Sequence, residues 1–447
     1  MSAIQPKMQQ CDTLIFPRWC VPVEPAGVVL GDHAVAVTDG RLLDILPAAE
    51  ARHQYAAGAI IERPDHVLIP GLINAHTHAA MTLFRGIAED QPLERWLREG
   101  VWPAEKRWVS AEMVRDGTRH AIAEMLRAGI TTFSDQYFFP EIVADVAVEM
   151  HIRAMIGTPV IEFRTAWAEN AEEYLTKGVE LVHDPYAEHP LVSTCFAPHS
   201  ITAASPDTFT KLRILADQLD APVQIHLHES AGEIGNSIKA GGKRPLQRLD
   251  DLGLVNSSLT AVHAVHMLDE EIHRFAAAGV TMVHCPRSNL KLADGFAPVN
   301  AFLNAGVTVA LGTDGAASNN VLDILGEMRM AALLAKTVSG DATVLPAHQA
   351  LRMATLSGAE VLGLDRNTGS IEKQKWADLT CIDLSGLNTQ PVYDPIAQIV
   401  YSAEAQQVSD VWVAGRHQLD NGRLSHINRT DLLDRSGEWR QRIASSL

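Results

Sequence analysis

Positive charge is what this sequence most lacks. Its 37 Lys and Arg face 54 Asp and Glu, leaving a formal net charge of −17. An acidic surface repels phosphate backbones, so no nucleic-acid partner is expected and small-molecule chemistry is. Cysteine is scarce as well. Cys11, Cys20, Cys195, Cys285 and Cys381 are odd in number and scattered, without a CxxC. That excludes a disulfide frame and a zinc ribbon, and the expectation is reduced thiols in a cytoplasmic protein. No apolar run approaches the roughly 18 residues that would span a membrane. The first residues lack a basic stretch followed by an apolar one, so no secretory signal is expected.

What is present is a core. At 447 residues and 47% apolar composition, the chain is long enough for one large barrel and a smaller companion. Up to about Val67 it reads as short strands broken by turns, among them Ala34–Val37 followed by Asp39-Gly40. The same texture returns from about Gly369, in Ala377–Leu384 and Val408–Val413. This predicts one small β-sandwich built from both termini (1–67 and 367–447) around a middle segment (68–366). Asp431–Ser446 reads as a surface helix.

The middle alternates between short runs rich in Val, Ile and Thr and helical segments such as Glu112–Ala128 and Asp207–Leu219. Eight such runs are legible: Leu68–His78, Ile130–Asp135, Arg153–Val160, Val192–His199, Val223–Glu229, Leu259–His266, Thr281–Pro286 and Val307–Asp314. Apolar strands alternating with helices imply a parallel sheet covered on both faces, and eight of them imply an α/β fold of the (β/α)₈ TIM-barrel type. Nearly every run ends in a group capable of chemistry: His76 and His78, Asp135, His199, His226 and Glu229, His263, His284, Asp314. Strand C-termini converge on one mouth of such a barrel, where active sites lie.

Within His76-Thr77-His78 the two imidazoles project to one face of a strand and can share an ion. Alone, such a pair is more often a pair of ordinary histidines. Its position at the end of a buried strand raises its weight. His226 closes another strand, with the carboxylate of Glu229 three residues on; His228, on the opposite face, is left outside the ion's shell. Asp314 closes an apolar strand, where an uncompensated carboxylate is costly and a divalent cation would compensate it. Capping the next helix is the plainer alternative for Asp314. Three imidazoles and one carboxylate leave room for a water, the catalytic pattern of a zinc site, and Fe²⁺ suits the same donors. His263 and His266 divide between orienting that water and serving as core histidines. Glu105 and His199 divide between contacting substrate hydroxyls and local hydrogen bonding.

The string Pro70–His78 resembles the first-strand motif of the amidohydrolase superfamily. His226-Leu227-His228-Glu229-Ser230 and Leu311-Gly312-Thr313-Asp314-Gly315 are similar to its fifth- and eighth-strand motifs. Met81–Gly86, Glu105, Ala197–Ser200, Ser288–Lys291 and Asp314–Asn320 resemble the branch of 5′-methylthioadenosine/S-adenosylhomocysteine deaminases, with the chlorotriazine hydrolases as relatives. The resemblance spans almost the whole chain. It implies His76, His78, His226 and Asp314 as ligands of one divalent ion, with zinc expected ahead of iron, and Glu229 as proton shuttle and substrate contact. It further implies that His263 hydrogen-bonds the attacking water, that Asp314 shares its proton, and that Glu105 and His199 meet the ribose. The implied reaction is hydrolytic deamination of an adenosine thioether, often by a homo-oligomer. In the loop after the third strand, where the family carries tail-binding arginines, Arg164 has no fixed counterpart. Deamination of guanine or another base, triazine hydrolysis, and a nucleoside-binding barrel without turnover are the competing readings.

Overall fold

In the computed structural model residues 8–445 are described; residues 1–7 and 446–447, at the outer ends of the two terminal segments, lie outside the described residues. Eight parallel strands pair in chain order: Leu72–Thr77, Ile130–Gln136, Arg153–Val160, Val192–Pro198, Val223–Leu227, Leu259–His263, Thr281–His284 and Val309–Leu311. The second and third are buried at every residue, as strands covered on both faces must be. The eighth strand closes on the first through Asp314, whose backbone N–H donates to the His76 carbonyl at 3.1 Å. The buried Asn74 amide stitches the same seam. It accepts from the Thr313 N–H at 2.9 Å and donates to the Thr313 hydroxyl at 2.8 Å. The sequence-based expectation of a (β/α)₈ barrel is met, with all eight strands in their expected stretches.

A second, nine-stranded sheet takes strands from both termini. Gln9–Cys20 runs parallel to Tyr55–Pro70, and Leu379–Asp383 pairs antiparallel on the other side of that long strand. One correction concerns the stretch read as a single strand from Leu68 to His78. Leu68–Pro70 belongs to the terminal sheet, and the first barrel strand begins at Leu72. The break is at Gly71, where a Cβ would lie 2.1 Å from the Thr131 hydroxyl, so only glycine lets the chain pass between the two sheets. Close by, Arg153 of the third barrel strand holds Asp378 through a 2.8 Å ion pair with both side chains almost fully buried.

Ala111–Arg127 and Pro206–Leu219 are helices where the spacing predicts them, each started by a serine (Ser110, Ser205) that accepts from the N–H three residues on. The C-terminal helix, Arg429–Ala444, is more than a surface element. Its Trp439 and Ile443 are buried in the barrel core, and Trp439 Nε1 donates to Asp116 at 2.7 Å. Among the described residues no helix is long and apolar enough to cross a membrane.

Candidate metal centre

The C-terminal ends of the barrel strands bring the expected residues together. His76 lies in the first strand and His78 just past it, His226 in the fifth, His263 at the end of the sixth, and Asp314 just past the eighth. His76 Nε2 is 3.1 Å from His226 Nε2 and 3.7 Å from Asp314 Oδ1. His78 Nε2 is 3.1 Å from the same Asp314 oxygen. One ligand atom each from His76, His226, His263 and Asp314 falls within a mutual 4.8 Å, a spacing that suits a metal ion.

The far side of each ring decides what its near side can do. His76 Nδ1 meets Gln224 Oε1 at 2.8 Å, His78 Nδ1 meets the Gln136 carbonyl at 2.5 Å, and His226 Nδ1 meets the His199 carbonyl at 2.8 Å. The Gln224 amide is oriented by its own Nε2, which donates to the Ala75 carbonyl at 3.2 Å. All three partners are oxygens that only accept, so each neutral ring carries its hydrogen on Nδ1 and turns a bare Nε2 lone pair inward. Two such lone pairs 3.1 Å apart repel unless a cation lies between them. The donor set therefore fits a divalent ion.

Asp314 is held for this role on both sides. Its Oδ2 accepts from Ser288 at 2.7 Å and from Ser318 at 2.6 Å, leaving Oδ1 to face the imidazoles. Its backbone is left-handed (φ +58°), as is that of His263 (φ +73°), so the local strain falls on the site itself. Burial pushes the Asp314 carboxyl up, but the His76 and His78 rings that face its Oδ1 outweigh burial and hold the group well below the usual carboxylate range.

Glu229 faces the same centre, its Oε1 3.5 Å from His263 Nε2. Burial first and the Asp314 charge second push its carboxyl up to about 8, against the pull of His78. An acid so placed is protonated at neutral pH and able to donate. His263 stays deprotonated, pushed down to about 4 chiefly by burial, and its Nδ1 lies 3.0 Å from the amide nitrogen of Asn289. His228 points away: it is fully buried, accepts from the Leu246 N–H at 3.2 Å and lies 3.5 Å from Glu271.

Glu105 accepts from the Tyr137 hydroxyl at 2.9 Å, and the Tyr137 ring is 6.4 Å from that of His78. Burial raises the Glu105 carboxyl to about 7. His199 has solvent access, with its ring 4.8 Å from that of His226. Arg164 is not brought to the centre; its side chain is 74% exposed and pairs with Glu169. Sequence reading missed Gln224, Tyr137 and Asn289 as individual contributors. Gln224 was findable, because it stands two residues before His226 on the inward face of one strand. Tyr137 carries no such signal, since it lies just past the end of its strand.

The profile described as the Amidohydrolase family matches residues 67–417. A 5-methylthioadenosine/S-adenosylhomocysteine deaminase from Teredinibacter turnerae is 43% identical, covering 97% of this chain and 98% of its own. The chain belongs to the amidohydrolase family. A solved structure described as an adenosine deaminase from Xanthomonas campestris with bound zinc superposes with a TM-score of 0.97 at 48% identity, covering 98% of this chain and all of that one. A triazine hydrolase variant superposes with a TM-score of 0.89 at 25% identity, over 96% of this chain and 99% of that one. Family, fold and donor set together make this amidohydrolase a metal-dependent hydrolytic deaminase acting on a small molecule.

Proposed function

We propose that this chain hydrolyses the exocyclic amine from the adenine ring of 5′-methylthioadenosine and S-adenosylhomocysteine, releasing ammonia and the inosine-type product. His76, His78, His226 and Asp314 hold one zinc ion. The observation that carries the reading is the set of three inward lone pairs fixed by Gln224, Gln136 and His199, facing one free oxygen of Asp314. The relatives' activity supports the substrate class.

When bound, the ion supplies the Lewis acidity that lowers the pKa of a water towards ~7. The side chains do the rest. Glu229 donates its proton to N1 of the purine, which makes C6 open to attack by water. His263 hydrogen-bonds that water. Asp314 can take a proton only at Oδ1, because Ser288 and Ser318 occupy Oδ2. The attacking water gives up both its protons: Glu229 or Asp314 passes one to the amine, which leaves as ammonia, and the other restores the proton that Glu229 gave to N1. Glu105, held by Tyr137, and His199 receive the ribose hydroxyls.

The Xanthomonas structure favours a second reading, adenosine itself as substrate. Ammonia release from metal-replete protein, compared across methylthioadenosine, S-adenosylhomocysteine, adenosine, guanine and a chlorotriazine, tests both. Turnover confined to guanine or the triazine overturns the proposal, and kcat/KM highest for adenosine favours the second reading. Elemental analysis of the purified protein distinguishes zinc from iron. We take the terminal sheet, which runs to Pro70 and resumes in the C-terminal segment, as a supporting unit and the barrel that begins at Leu72 as the catalytic one. Five free, buried cysteines support a cytoplasmic setting.

A further inference from the structure

Four imidazoles surround the centre, and distance alone does not say which three bind the ion. His263 belongs to the tightest cluster of candidate ligand atoms, and His78 does not. What separates them is the partner behind each ring. Behind His76, His78 and His226 stands an oxygen. Behind His263 stands the amide nitrogen of Asn289, 3.0 Å from Nδ1. An amide NH₂ only donates, so Nδ1 of His263 keeps its lone pair and its hydrogen is forced to Nε2, the atom that faces Glu229 and the centre.

We infer that Asn289 is a positioning residue that fixes His263 in the Nε2–H form, so that this ring donates a hydrogen bond at the centre and cannot become a fourth imidazole ligand. The inference rests on the ligand set proposed above. Asn289 is well placed for the task. It is 1% exposed, on the short helix Pro286–Lys291 that follows the seventh strand, and its backbone N–H donates to the Cys285 carbonyl at 3.1 Å. Its chain neighbour Ser288 donates to Asp314 Oδ2, so successive side chains set one ligand and the one non-ligand imidazole. Asn289 Oδ1 is buried and has no hydrogen-bond partner among the described residues. Turning the amide over would satisfy that oxygen at His263 but orphan the NH₂ and bare Nε2. The two orientations therefore differ in one measurable proton.

Long-range ¹H–¹⁵N correlation spectra of the zinc-loaded, ¹⁵N-histidine-labelled protein read that proton directly. His263 is expected to be protonated at Nε2, opposite to the three ligands, and a hydrogen on its Nδ1 overturns the inference. Two variants add function. In Asn289→Asp the carboxylate accepts from Nδ1–H and inverts the ring. We expect kcat to fall by roughly 10–100-fold, with KM little changed and one metal ion per chain retained. Asn289→Ala, which leaves the ring free to choose, loses less. Equal losses in both, in proportion to lowered unfolding temperatures and with the His263 tautomer unchanged, mean a merely structural Asn289 and sink the idea. Metal content separates this failure from failure of the ligand set. His263→Ala retains its ion if the inference holds. Retention by His78→Ala would overturn the ligand reading itself.

Discussion

Glu229→Gln removes one proton and almost no volume. In the native protein the Glu229 carboxyl is raised to about 8, so at pH 7 the acid form predominates about tenfold and donation to the purine needs no prior protonation. The amide keeps the shape but cannot give up a proton. Positioned proton transfer contributes roughly 10²–10⁴-fold, or about 3–6 kcal/mol at 1.4 kcal/mol per decade. Turnover should fall by that factor while metal content stays at one ion per chain, since Glu229 approaches His263 and is not among the proposed ligands. The native kcat profile should fall on its alkaline side as the proton is lost. A bound cation lowers the carboxyl further, which places this limb at or below pH 8. The assay is ammonia release against pH with metal analysis of the same samples. Metal loss in parallel with activity, or turnover close to wild type, would refute the assignment.

His76→Ala should purify without its metal, and a full complement by elemental analysis would count against the centre. Glu105→Ala and His199→Ala should raise KM for the nucleoside far more than for any free base turned over; equal effects on both would remove the ribose from the model of recognition. His228 faces Glu271 at 3.5 Å, and Arg244 grips it through two bonds of 2.7 and 2.9 Å. Burial opposes the charge, but these partners lower the Glu271 carboxyl to about 2. Because the folded value lies below the unfolded one of about 4.3, the stabilisation is complete above that pH and is lost as pH falls through about 2. It amounts to about 3 kcal/mol. Denaturant titrations of Arg244→Met should show part of this loss at pH 7, the share of His228 remaining, and a flatter acid limb; an unchanged limb would refute the assignment.

The barrel was legible because burial on both faces removes polar residues from a strand's interior, so a polar residue at its end stands out. His76, His226, His263 and Asp314 all announced themselves in this way. The first strand's start was misread because Leu68–Pro70 and Leu72–Thr77 are both fully buried extended chain, and only the close approach of Thr131 to Gly71 separates two sheets at that point. The terminal helix looked like a surface element because its sequence is mostly polar. Two residues, Trp439 and Ile443, suffice to seat it in the core.

Sequence by itself determined which groups could meet. A strand order and a period of two are local properties, and they carry a side chain to a known face and a known end. Tertiary structure alone decided what each group does there. Whether an imidazole presents a lone pair or a hydrogen depends on the atom behind it: Gln136 from the second strand, Gln224 from the fifth, or Asn289 from beyond the seventh. Those partners lie up to 148 residues from the ring they govern, and proton placement is set by contact in space, which no local pattern encodes.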